Sequence, residues 1–96
     1  MQELQVNKEN CFSVLMAVYK KEQPLFFKEA LRSVFEQSLI PNEVVLVKDG
    51  PLTEELEQII VDFSSKNEQL KVITLEKNQG LGEALRIGLN ACSFDL

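Results

Sequence analysis

The chain predicts an α/β fold: a three-layer Rossmann-like half domain, with a parallel sheet of order 3-2-1 and a β-α-β-α-β-α succession. Three kinds of observation carry this. Short apolar runs such as Val44-Val45-Leu46-Val47 stop abruptly at charged residues, as strands buried on both faces do. Stretches with apolar residues spaced i, i+3, i+4 and i+7 alternate with these runs. Polar, glycine- or proline-containing turns separate the two kinds of segment. Right-handed crossovers then lay the helices over a parallel sheet, and each new strand added beside the last gives the order 3-2-1.

Residues 1–10 are polar and include Glu3 and Glu9, so they read as a leader before a domain covering 11–96, and not as a secretory signal. Cys11 to Tyr19 is mostly apolar and predicts the first strand. After the polar Lys20-Lys21-Glu22, Pro24 suits a first helical turn, where its missing N–H costs nothing. Phe27, Ala30, Leu31, Val34 and Phe35 make one apolar face of that helix, with Lys28, Glu29, Arg32 and Glu36 on the other. Pro41-Asn42 breaks the pattern ahead of the central strand, Glu43 to Lys48. Thr53 is placed to cap a second helix, with Glu54 and Glu55 in its first turn and Leu56, Ile59, Ile60 and Phe63 inward.

Leu70 to Leu75 predicts the third strand, and Lys77-Asn78-Gln79-Gly80 a loop. Leu81, Ala84, Leu85, Gly88, Leu89 and Cys92 mark the inner face of a third helix, with Gly88 allowing close packing on the sheet. Ser93-Phe94-Asp95-Leu96 reads as the approach to a fourth strand beside the first, so the chain is expected to be truncated there. Without that fourth strand the first would be a bare apolar edge, which predicts self-association through it.

Composition narrows the chemistry. The 96 residues, 45% of them hydrophobic, fit one small globular domain. A net charge of −5 argues against nucleic-acid partners and against a basic membrane-surface helix. No apolar run reaches the roughly 20 residues of a membrane span. The expected location is cytoplasmic, extending to peripheral attachment at the inner face of the membrane. Cys11 and Cys92 form no CxxC pair and read as reduced thiols. The absence of histidine removes His-based zinc sites, Ser-His-Asp triads and Cys-His dyads.

Asp49 is the first candidate site residue. It follows a buried strand, at the carboxyl end where open α/β sheets bind ligands, and it precedes a glycine that lets a ligand approach the backbone. The plainer alternative is that Asp49 only caps the turn. Gly80-Leu81-Gly82-Glu83-Ala84-Leu85 is a weak echo of a dinucleotide loop: its third glycine position holds Leu85, and it follows the third strand instead of the first. Glu54, Glu55 and Glu57 answer a helix dipole and do not form a catalytic pair. Lys20-Lys21 reads as a solvated loop more readily than as a phosphate clamp.

Taken in order, four segments resemble the family 2 glycosyltransferases of GT-A fold. Ser13 to Lys20 is similar to that family's opening S-V-[VI]-[IM]-P-x-Y-N strand, and Ala30 to Ser38 to its S-[IV]-x-x-Q-[ST] helix ending. Glu43 to Gly50 resembles E-[IV]-[IV]-[IV]-V-D-D-G, and Lys77 to Leu81 resembles K-N-x-G-L. The resemblance spans Phe12 to Leu96 and implies the nucleotide-binding half of an enzyme that moves a sugar from a nucleotide-diphosphate sugar to an acceptor hydroxyl. It implies that Asp49 contacts the base, that backbone at Ala17, Val18 and Tyr19 walls base and ribose, and that Gly80 lets the chain pass close to the nucleoside. It also implies a UDP-sugar donor, a saccharide or lipid-linked acceptor, a role in polysaccharide biosynthesis, and a divalent metal, Mn or Mg.

Several positions depart from the pattern. Ala17 stands for the usual proline, Lys20 for asparagine, Lys48 for the first aspartate, and Leu85 for the arginine of A-R-N-x-G. The metal-binding D-x-D is expected just beyond Leu96 and the catalytic base later still, so the 96-residue chain alone is expected to be inactive. The competing readings are a standalone Rossmann-like nucleotide-binding module and a protein-interaction module, both without catalysis.

Overall fold

The strands form where the short apolar runs predict them. The computed structural model describes residues 2–8 and 11–92. Strands β1 (Gln2–Lys8), β2 (Cys11–Val18), β3 (Glu43–Lys48) and β4 (Leu70–Thr74) build one sheet in the order β1-β2-β3-β4. Helices α1 (Pro24–Glu36), α2 (Glu54–Lys66) and α3 (Leu81–Ala91) lie between and after the parallel strands. β2, β3 and β4 pair in parallel, with Val14↔Val44 and Val44↔Leu70 in register, which is the expected 3-2-1 order.

Two expectations are corrected at the other edge. Residues 2–8 are not a leader tail but strand β1, antiparallel to β2 from Gln2↔Ala17 to Lys8↔Cys11. In the sequence, Leu4 and Val6 alternate with polar residues, the period of a strand with one covered face. A strand of that kind needs few apolar residues, so its composition resembles that of a tail. Because β1 pairs with β2 from Cys11 to Ala17, the first predicted strand is not a bare edge, and the ground for self-association through it falls away. Ser93–Leu96, read as the approach to a fourth strand, lies outside the described residues.

The sheet is covered on both faces. Val14, Met16, Val18, Val44 and Leu46 pack with Phe27 and Leu31 of α1 and Leu56 and Ile60 of α2. Leu15, Ala17, Val45 and Val47 face Ala84 of α3. The right-handed crossover rule accounts for the split. α1 and α2 both carry the chain from β2 towards β4, so they share a face, while α3 returns across β2 and β3 on the other. Burial on both faces explains why β2 and β3 read as continuous apolar runs instead of alternating ones.

Local signals set the helix starts. Pro24 occupies the first turn of α1. Thr53 Oγ1 accepts from the Leu56 backbone N–H at 3.3 Å, and Glu54, Glu55 and Glu57 lie in the first turn of α2. Gly80 precedes α3 with φ 93° and ψ 156°, a conformation essentially limited to glycine.

Candidate functional site

Strand periodicity decides where the charge pair at the end of β3 goes. Successive side chains point to opposite faces. Lys48 follows Leu46 to the α1/α2 side, and its Nζ meets Glu57 Oε1 of α2 at 2.8 Å. Asp49 goes the other way, to the α3 side, and is only 5% exposed. One of its oxygens, Oδ1, accepts from the Gln79 backbone N–H at 2.7 Å. Oδ2 has no hydrogen-bond partner among the described residues.

That hydrogen bond ties the end of β3 to the loop between β4 and α3. The Asn78 side-chain amide donates to the Asp49 carbonyl at 3.3 Å, and Asn78 Oδ1 accepts from the Gly80 N–H at 3.1 Å. Gly50, with φ 91°, brings its Cα against this loop: a Cβ there would lie 2.7 Å from Asn78 N. On the β2 side, the Asp49 N–H donates to the Val18 carbonyl at 2.8 Å, carrying the parallel ladder one residue past Lys48.

These links frame a cleft of about 350 Å³ at the carboxyl ends of β2 and β3, lined by Ala17, Val18, Tyr19, Asp49, Asn78, Gly80 and Leu81. All five residues singled out in the sequence, Ala17, Val18, Tyr19, Asp49 and Gly80, meet here. The space where a Gly80 side chain would stand is open, with nothing within 4 Å of an added Cβ. Asn78 and Leu81 were not singled out individually, although the Lys77-Asn78-Gln79-Gly80-Leu81 segment that carries them was. Most of the lining is apolar, and the Asp49 carboxylate and Asn78 amide give it polarity, the arrangement typical of a small-molecule site.

Arg86 and Cys92, ionisable side chains of α3 and its end, are engaged away from the cleft. Arg86 pairs with Glu83 on the exposed side of α3 and does not line the cleft. The hydrogen bond from Arg86 holds the Glu83 carboxyl below its usual range and the guanidinium above its own. Burial pushes the Cys92 thiol up, with the charge of Glu43 adding to the effect, and Cys92 Sγ donates to the Gly88 carbonyl at 3.4 Å. Among the described residues no three Asp, Glu, Cys or His side chains converge to hold a metal. The cleft contains a single carboxylate, so a divalent ion there would need ligands from outside these residues. No described helix is long and apolar enough to cross a membrane.

Comparison with known proteins identifies the family and the fold. The chain is 49% identical over 85 residues to a UDP-Gal:α-D-GlcNAc-diphosphoundecaprenol β-1,3-galactosyltransferase of Escherichia coli, covering 88% of this chain and 30% of that protein. It is 40% identical over 85 residues to the amylovoran biosynthesis glycosyltransferase AmsE of Erwinia amylovora, covering 88% of this chain and 32% of that one. The chain thus spans about a third of the length of these curated relatives. Among solved structures, the mannosyltransferase PcManGT of Pyrobaculum calidifontis, in complex with GDP-Man and Mn2+, superposes with a TM-score of 0.65 at 19% identity, covering 82% of this chain and 24% of that one. At that identity the likeness speaks for the fold. The model of glycosyl transferase family 2 matches residues 13–96, from Ser13 within β2 onwards, and the chain belongs to that family.

Proposed function

We propose that the cleft holds the nucleotide of a nucleotide-diphosphate sugar, and that this chain is the donor-binding part of a glycosyltransferase acting on an acceptor hydroxyl. The observation that carries the reading is the Asp49 carboxylate. It is buried, fixed through Oδ1 by the Gln79 N–H, and has Oδ2 left to accept from a ligand in a cleft walled by Ala17, Val18 and Tyr19. The imide N–H of uracil is a suitable donor to that oxygen, and a bond to a charged acceptor is stronger than a neutral one. The open space at Gly80 admits the ribose beside the backbone. UDP-sugars are the donor class this favours, in keeping with the UDP-Gal that names the relative from Escherichia coli. The same relative supports a lipid-diphosphate-linked saccharide as acceptor. A divalent metal at the diphosphate would be held by residues outside those described.

Asp49 also anchors the loop, so the test must separate binding from folding. In the protein carrying this chain, titration calorimetry with UDP should show Asp49→Ala weakening binding by about 1.5–3 kcal/mol, the usual worth of a charge-assisted hydrogen bond. Asp49→Asn retains an acceptor for the Gln79 N–H but removes the charge. It should keep the thermal stability close to that of the parent and still lose UDP affinity. Unchanged affinity in both variants would remove Asp49 from the donor site.

A further inference from the structure

α1 begins with its two most exposed apolar side chains side by side: Leu25 is 66% and Phe26 64% exposed. Neither belongs to the inward face of Phe27, Leu31 and Val34. The residues just before them form a tight turn, closed by the Glu22 N–H donating to the Tyr19 carbonyl at 3.0 Å. Lys20 and Lys21 are its two central residues and are exposed, as is Lys28 one turn further along the helix. None of these three lysines has a carboxylate partner among the described residues. From Tyr19 to Lys28 there are three lysines and one glutamate, in a chain whose net charge is −5.

The start of α1 also carries no acidic residue in its first turn and no side-chain cap, whereas α2 has three glutamates and the Thr53 cap. Glu22, just before the Gln23 N-cap, is the one acidic residue next to this end, so the positive end of the α1 dipole is less compensated than that of α2 and adds to the lysines. Exposed large apolar side chains set among unpaired lysines are the pattern of a segment that inserts at the headgroup boundary of an anionic bilayer. Neutral apolar burial alone would not call for the lysines, and a nucleic-acid partner would not call for the leucine and phenylalanine.

We propose that the 19–28 segment is a docking surface for an anionic lipid bilayer, with Leu25 and Phe26 entering the interface and Lys20, Lys21 and Lys28 meeting the headgroups. Tyr19 belongs both to this turn and to the cleft wall, so docking brings the cleft mouth close to the membrane surface. The inference stands apart from the donor reading, since it requires no nucleotide.

Vesicle co-sedimentation without nucleotide tests it, using vesicles of phosphatidylglycerol with phosphatidylethanolamine against phosphatidylcholine alone. The protein should bind the anionic vesicles, less so at high salt, and leave the neutral ones unbound. Lys20→Gln with Lys21→Gln should weaken binding by roughly 25-fold, at about fivefold per lysine. Leu25→Ser with Phe26→Ser should weaken it more than roughly tenfold. Lys66→Glu, an exposed lysine in the last turn of α2, should leave it unchanged. All these side chains are exposed, so the melting temperature reports that folding is intact. Equal binding to both vesicle types, equal binding by the parent and the Leu25/Phe26 variant, or a concentration-dependent dimer that the same variant dissolves would each overturn the proposal. Asp49→Asn should change UDP affinity and not vesicle binding, so failure of one reading is distinguishable from failure of the other.

Discussion

Gly50, Gly80 and Gly88 show how one residue type serves three different constraints in this chain. At Gly50 a Cβ would strike backbone, 2.7 Å from Asn78 N, and the φ of 91° strains any other residue. Gly50→Ala should therefore cost roughly 2–4 kcal/mol in urea unfolding and loosen the loop that Asp49 holds. At Gly88 an added Cβ would meet side chains, Leu15 Cδ1 at 2.3 Å and Val47 Cγ2 at 2.8 Å, so α3 would be lifted off the sheet. Gly88→Ala should cost roughly 1–3 kcal/mol with little effect on nucleotide affinity per folded molecule. Gly80 has open space and only the conformational strain, so Gly80→Ala should cost less than Gly50→Ala but intrude on the cleft. Ranking the three by chemical denaturation and by UDP titration checks this assignment. If Gly80→Ala left UDP affinity intact, the cleft would not hold the nucleoside where the geometry suggests.

At the scale of elements, the amino ends of the parallel strands are joined by a polar link. Glu43 is 2% exposed, its Oε1 accepts from Ser13 Oγ of β2 at 2.7 Å, and its Oε2 pairs with Lys71 of β4. The link spans three adjacent strands and can be made only in the observed register. A slip of one residue would turn Glu43 to the α1/α2 face. Glu43→Ala leaves the buried Ser13 hydroxyl without that acceptor and should destabilise by about 1–3 kcal/mol, with Glu43→Gln recovering part of the loss. Equal stabilities for parent and Glu43→Ala would show that apolar packing of β2 and β3 sets the register alone. The helix faces and the Thr53 cap were legible in the sequence because each depends only on neighbours within a few residues.

For the whole molecule, β1 changes what the sheet edge can do. Its antiparallel pairing with β2 satisfies the backbone groups that would otherwise be open to another chain. Deleting residues 1–10 should expose that edge and turn the protein into a concentration-dependent oligomer in sedimentation velocity, while the parent stays less associated. A deletion variant no more associated than the parent would mean that the β2 edge is protected by other means. Net charge is also a whole-molecule quantity, and here it conceals local structure. A chain at −5 argues against basic surfaces in general, yet Lys20, Lys21 and Lys28 are all exposed within a few residues of Leu25 and Phe26 in the sequence.

What the sequence determined by itself was everything that rests on short-range pattern. The apolar runs marked β2, β3 and β4, the 3.6-residue period marked the helices, and handedness of the crossovers ordered the parallel strands. The five cleft residues were legible because carboxyl ends of parallel strands converge by topology, and because their segments resemble a family whose model then matched. Tertiary structure alone decided the partners. That Asp49 Oδ1 binds the Gln79 N–H depends on two loops 30 residues apart meeting across the sheet. That Lys48 turns to Glu57 depends on α2 packing against the opposite face. β1 was hidden for the same reason. A half-polar edge strand has too weak a local signal to stand on its own, and only the adjacent β2, offering a ladder of backbone hydrogen bonds, makes residues 2–8 a strand.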